Sequence, residues 1–467
     1  MEKNYESQVN TSRIRTSSSR HSRSERQEIE SDRGRVLFSA PLRRLQSKAQ
    51  VFSLESNAAV RSRLTHSMEV SHVGRYIVQR IKQIAIEKNY SKLAEECDLI
   101  ETIVETTCLL HDIGNPPFGH LGEKAIQEWF KENANKYHFL ATEKTIDKNS
   151  SWYKDFLAFD GNPQGLRIVL NLQGNPGEKG FNLTLSQLAT LIKYPATSTD
   201  KNKFNKIGVF TSEKKDVEYI WNKLDLDWGK RYPLMFLMEA ADDIAYSLSD
   251  IEDGIEKRVI NEREVLAQLH RIFTKRGLKD FAGLINDARK STVTSPFVAF
   301  RTYMINKMVE QAANKFVVNW KDISAGEFDG IFCLDDNEEG DDCSKAINII
   351  NTYCSETLYR SAEAEDIEIA GYNIVHGLMD KFSILLQLDK DEFISLAKKG
   401  KGKALCRRMI SKLPNSLVQH YLYAIETDEE NEWFRRVQLI VDYISGMTDD
   451  FSLKVFRLIH GIKVEII

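Results

Sequence analysis

Cysteine is scarce and never paired in sequence. Six residues, Cys97, Cys108, Cys333, Cys343, Cys354 and Cys406, occur in 467, and none forms a CxxC. That spacing speaks against a cysteine zinc site or a disulfide framework and for reduced, mostly buried thiols. Long apolar runs are missing too. Nothing approaches the roughly 20 residues a spanning helix needs, and the N-terminus has no signal-peptide core. A soluble, cytoplasmic protein that does not enter a membrane is expected. Net charge is nearly absent: 64 Lys+Arg against 68 Asp+Glu leave -4. So small a charge argues against bulk polyanion binding and leaves local basic patches open. Repeats are absent, and strand-like runs are confined to "GVF" at 208–210 and "KVEII" at 463–467.

What remains is a helical pattern on a chain long enough for two or three packed regions, with 42% hydrophobic residues to fill a core. Residues 1–30 are polar and rich in Ser and Arg, and read as a flexible tail whose arginines could touch nucleic acid. From "THSMEV" onward His66, Val70, Val73, Ile77, Ile81 and Ile84 follow steps of three and four. They share one helix face, with His66 on its buried side in the first turn. A second helix, "CDLIETIVETTCLLHD", puts Ile100, Ile103, Val104, Thr107, Cys108 and His111 on one side, and Gly114 with Pro116-Pro117 stops it. "STDKNKFNKIGVFTSEKK" reads as a Lys-rich surface loop. "LMFLMEAADDIAYSLSDIEDGIEKR" reads as a strong helix, and "LDDNEEGDD" at 334–342 as an acidic loop. The expected class is mainly α.

The chemistry gathers at "HDIGNPPFGH", residues 111–120. A His and an Asp adjacent at a helix end can reach one cation. Imidazole with carboxylate suits Mn, Fe, Co, Ni or Zn, and Mg less well. Two more groups need explaining. His66 lies on an apolar helix face, and Asp242 lies in the apolar run "LMFLMEAADDIAYSL". Each is costly alone and cheap around a cation. A lone HD pair means little, and a single His on an apolar face is usually a satisfied core residue. The ordered set His66, His111-Asp112, Asp242 is far more specific than any member.

That set resembles the HD-domain metal-dependent phosphohydrolases. More narrowly, "SDRGRVLFSAPLRRLQSKAQVF", "NAAVRSRLTHSMEV", "CLLHDIGNPPFGHLGE", "FDGNPQGLR", "MEAADDIAYSLSDIEDG" and "DYISGMTD" resemble segments of the bacterial deoxyguanosine triphosphate triphosphohydrolases. The resemblance implies an HD-domain helical core over residues 31–275. A C-terminal helical region, 276–467, would complete the pocket and the oligomer contacts. It implies a divalent ion, Mg or Mn with Co as an alternative, held by His66, His111, Asp112 and Asp242. The implied reaction is hydrolysis of dGTP, or another dNTP, at the α-phosphorus to deoxynucleoside and inorganic triphosphate. Family members are homo-oligomers, often hexamers.

His120 is then the candidate general acid, since its pKa class suits neutral pH, with Glu123 one turn on to orient it; a capping pair is the other reading. Arg63 and Lys193, with Tyr194, match residues the family uses at the phosphates, which fits charge logic. Tyr246 and Asp250 fall four and eight residues after Asp242, on one helix face. In relatives the matching Tyr packs on the sugar, where a ribose 2'-hydroxyl would collide. Gln50 with Val51 resembles the reader of the sugar 3'-hydroxyl, and Asn162 matches a further pocket residue. Nothing in these motifs reads guanine by physics; the dGTP expectation rests on resemblance. The competing functions are another HD nucleotide phosphohydrolase, and a nucleotide-sensing or single-stranded-DNA-binding protein.

Overall fold

The computed structural model describes residues 7–17, 21–55, 57–201, 204–328, 330 and 341–462, apart from the Ser247 side chain. Among these residues the regular structure is helical throughout; there is no strand, only the isolated bridges Arg13–Thr184 and Ala49–Ser62. "GVF" forms no strand: the Gly208 and Val209 amides both donate to Ala196 O, at 3.1 and 3.2 Å. "KVEII", Cys333 and most of "LDDNEEGDD" lie outside the described residues. The five described cysteines are free and buried. None of the described helices is long and apolar enough to cross a membrane.

The site is built on a helical hairpin. Helix α1 (Glu25–Leu37) packs on α3 (Ser91–Leu110), which pairs closely with α2 (Arg63–Glu87). Ser62 starts α2 through a capping box: its hydroxyl accepts from the Thr65 amide, and the Thr65 hydroxyl accepts from the Ser62 amide. The start is therefore fixed, and His66 falls in the first turn. Residues 88–90 join α2 to α3, so the two run antiparallel and the start of α2 lies beside the end of α3, where His111 is the C-cap. Gly74 lets them approach. A Cβ there would stand 2.9 Å from Val104 Cγ1 and 3.0 Å from Cys108 Sγ.

Four more helices close the site. They are α4 (Gly119–Thr142), α5 (Gly161–Leu170), α6 (Leu185–Leu191) and α7 (Met235–Glu256). Helix α7 packs across α2 and carries Asp242. A second layer comes from α8 (Pro296–Val318), packed on α2, and α9 (Asp342–Tyr353), packed on α7. The remainder is a C-terminal set led by α10 (Ala362–Phe382), α11 (Glu432–Ser445) and α12 (Asp449–His460).

Two features of the packing stand out. First, one hydrophobic cluster of described residues runs from Ile29 to Cys354. A second cluster joins α4 to α10 and α11. Second, the described part of the N-terminal segment is packed. The Leu185 and Ser186 amides donate to Ser12 O and Asn10 O at 2.9 and 3.2 Å. Arg13 reaches the buried Asp32 at 2.7 Å with its own side chain 4% exposed. Composition marked this stretch as solvated because it could not reveal that Asp32 and the edge of α6 supply its partners.

Candidate active site

All the residues singled out above except Asp250 line one cavity of about 420 Å3. That is the size range of small-molecule sites. At its floor His66 Nε2 lies 3.3 Å from Asp242 Oδ1. His111 Nε2 lies 3.4 Å from the same oxygen and 3.6 Å from Asp112 Oδ1. Donor atoms of His66, His111 and Asp112 all fall within 4.8 Å of one another.

The hydrogen bonding behind these atoms tests whether they suit a cation. His111 Nδ1 faces Cys108 O at 2.7 Å. A carbonyl only accepts, so Nδ1 carries the proton, and a neutral ring turns a bare Nε2 lone pair toward two carboxylate oxygens. Acceptor facing acceptor is unfavourable unless a positive charge lies between them. A proton on Nε2 or a metal ion between the groups supplies one, and the two-imidazole, two-carboxylate donor set fits a divalent metal.

Asp112 is gripped from behind by Arg63 Nη1 at 2.6 Å and Asn115 Nδ2 at 2.6 Å. Burial pushes its carboxyl up, but Arg63 and the two imidazoles outweigh that and hold it at about 2. For Asp242, burial is likewise outweighed by His111, His66 and Lys193, and its carboxyl stays below the usual range. Both are anionic at neutral pH. Arg63, expected at the phosphates, thus spends part of its guanidinium on the Asp112 carboxylate.

His120 stands at the rim with its side chain 84% exposed, and its Nδ1 lies 2.9 Å from Glu123 Oε2. Glu123 is buried, and its Oε1 accepts from the Gly161 amide at 2.8 Å, at the start of α5. The hydrogen bond to Glu123 raises the His120 pKa. His120 lines the cavity, and with Nδ1 on Glu123 its other ring nitrogen is Nε2.

Along the side walls, Lys193 Nζ lies 3.6 Å from Glu239 Oε1 and near the Tyr194 ring. Its ammonium is held charged: burial opposes this, and Glu239, Tyr194, Asp243 and Asp242 prevail. Asn162 lines the wall, but its Nδ2 donates to Asp160 Oδ1 at 2.6 Å. Gln50 and Val51 also line the cavity, and Gln50 Oε1 is buried without a hydrogen-bond partner. Tyr246 faces the cavity, with its hydroxyl 2.6 Å from that of Tyr359. Asp250, expected to touch substrate, does not reach the wall. It lies fully buried behind Tyr359, whose hydroxyl donates to its Oδ2.

Sequence reasoning missed several lining residues. Lys206 belongs to the Lys-rich loop, yet reaches the cavity. Asn351 and Tyr359 come from the C-terminal half, far from any motif, and Asn351 Oδ1 is buried without a partner. No spacing rule links them to α7.

His66, His111-Asp112 and Asp242, the order expected of an HD-type phosphohydrolase, come together in one cavity. The family model "HD domain" matches residues 63–172, ending before Asp242, and "Phosphohydrolase-associated domain" matches 340–458. The chain is 32% identical to the deoxyguanosinetriphosphate triphosphohydrolase of Klebsiella pneumoniae subsp. pneumoniae, over 93% of this chain and 94% of that protein. It is 33% identical, with the same coverage, to the protein of that name from Klebsiella pneumoniae strain 342. The chain belongs to the deoxyguanosinetriphosphate triphosphohydrolase family.

Proposed function

We propose that the protein is a metal-dependent hydrolase that cleaves dGTP at the α-phosphorus, giving deoxyguanosine and inorganic triphosphate. The observation that carries this reading is the convergence of two imidazole nitrogens on one Asp242 oxygen, at 3.3 and 3.4 Å, at the floor of a nucleotide-sized cavity. In this reading His66, His111, Asp112 and Asp242 hold the divalent ion, Mg or Mn. When bound, such an ion polarises the phosphoryl group and makes a water acidic enough to attack near neutral pH.

The chain's own residues do the rest. Arg63 and Asn115 keep the Asp112 carboxylate aimed at the floor. Lys193 and Arg63 offset phosphate charge. As water adds to the α-phosphorus, the bond to the sugar 5'-oxygen breaks. His120 Nε2 protonates that oxygen, and Glu123 keeps the imidazole charged and oriented. Tyr246 packs on the deoxyribose, Gln50 with Val51 meets its 3' side, and Tyr194 and Asn162 complete the wall.

Product analysis of dGTP turnover by phosphorus NMR, with Mn or Mg, tests the reading. Triphosphate and deoxyguanosine are expected. Release of pyrophosphate or single phosphates overturns it and favours another HD nucleotide hydrolase. We propose too that several copies assemble, as the resemblance implies; light scattering of a hexamer supports this, and a monomer removes it. A single-stranded-DNA role is disfavoured for part of the basic N-terminal segment. There Arg13 pairs with Asp32 and Glu28, and Arg15 Nε donates to Glu178 O at 2.9 Å.

A further inference from the structure

Tyr359 belongs to no motif, and nothing above gives it a task. It follows a π-helical turn, Cys354–Leu358, in which its amide donates to Cys354 O at 3.1 Å. Such turns redirect a side chain and recur at functional sites. The ring packs against the Phe52, Leu358 and Ala364 cluster, next to Val51. Its hydroxyl meets two groups on α7, Tyr246 at 2.6 Å and Asp250.

The donor order follows from chemistry. Tyr359 gives its proton to Asp250 Oδ2, so the Tyr246 hydroxyl donates to Tyr359. Asp250 is fully buried, and its other oxygen has no hydrogen-bond partner. Among the described residues Tyr359 is therefore the donor that satisfies this carboxyl. The consequence for Tyr246 is twofold. Its ring is pinned at the wall, and its only proton is already committed. A hydroxyl arriving there meets a fixed ring, and Tyr246 cannot donate to it without breaking the Tyr246–Tyr359 bond.

We propose that Tyr359 is a positioning residue for sugar selection, fixing Tyr246 through the Tyr246–Tyr359–Asp250 chain so that a 2'-hydroxyl is excluded. This rests on the sugar-packing role given to Tyr246 above. It explains why Asp250 lies one layer behind the wall. The carboxylate anchors the phenol, and the phenol anchors the gate.

Tyr359→Phe keeps the ring and its packing and removes the hydroxyl. The ratio of kcat/KM for dGTP over GTP should fall by about tenfold, mainly through a lower KM for GTP. Calorimetric binding of deoxyguanosine and guanosine, which involves no turnover, should show the same loss of preference. In a Tyr246→Phe background the substitution should add nothing, because the link is already cut. Both ratios staying within about twofold of wild type in folded Tyr359→Phe protein would overturn the proposal, as would fully additive effects of the two substitutions. Failure of the wild type to release triphosphate removes the reaction instead. The nucleoside preference is read without turnover and judges the gate on its own.

Discussion

At the scale of single residues, the rim pair makes the sharpest claims. His120 is exposed and Glu123 is buried, with its Oε1 held by the Gly161 amide, so the carboxylate anchors the imidazole. His120→Ala should cut kcat by about 10²–10⁴-fold while metal and substrate still bind. Parallel metal and substrate titrations check this, and metal loss would put His120 in the ligand shell instead. Glu123 raises the His120 pKa. A general acid works only while protonated, so kcat should hold below that raised pKa and fall as pH rises through it. Glu123→Gln removes the charge that raises it, and the alkaline limb of the kcat profile should move to lower pH. An alkaline limb that stays in place would detach Glu123 from the proton. Depth was the quantity hidden from sequence at this scale. Spacing put Asp242, Tyr246 and Asp250 on one face of α7. Only three-dimensional packing shows that Tyr359 takes the wall position at the far end, leaving Asp250 behind it.

At the scale of elements, the site is a consequence of one hairpin and one close loop. The 3.6-residue periodicity of α2 and α3 was readable because each buries a continuous apolar stripe against the other. Ser62 and Thr65 then set where α2 begins, which sets where His66 points. The loop after His111 is less forgiving. A Cβ on Gly114 would lie 2.1 Å from both Gly161 O and Gly165 N, which are backbone atoms of α5. Gly114→Ala should therefore destabilise the fold by about 1–3 kcal/mol, or push α5 away. Because α5 also carries the Gly161 amide that holds Glu123, activity should fall more than stability does. Denaturant midpoints and turnover measured on one preparation check that order, and wild-type turnover at lowered stability would contradict it. Sequence reasoning named Gly114 as a helix stop, and the approach of α5 was outside its reach.

At the scale of the whole molecule, the C-terminal helices are wired into the catalytic half. Arg167 Nη2 and Nε on α5 bind Asp442 of α11 at 2.7 and 2.8 Å, and Nη1 binds Glu213 at 2.9 Å. All three side chains are buried. Asp442→Ala leaves Arg167 paired with Glu213 but strips the partners of its buried Nε and Nη2, so it should cost about 1–3 kcal/mol by chemical denaturation. A loss of less than about 1 kcal/mol would mean that α11 is not held through this network. Lys48 adds a second tie, from its Nζ to Asn115 O at 2.5 Å and Ser445 O at 2.8 Å, joining the loop after Asp112 to α11. These long-range pairings explain why the motifs were legible and the molecule around them less so. A local signal carries helices and ligands, but nothing local announces that residue 167 needs residue 442. The central claim is that His66, His111, Asp112 and Asp242 share one divalent ion, and calorimetric titration of the metal-free protein with Mn tests it most directly. One ion per chain should bind, and Asp242→Ala, folded by circular dichroism, should bind it at least about tenfold more weakly. Wild-type affinity in Asp242→Ala, or no stoichiometric binding in the wild type, would contradict the account.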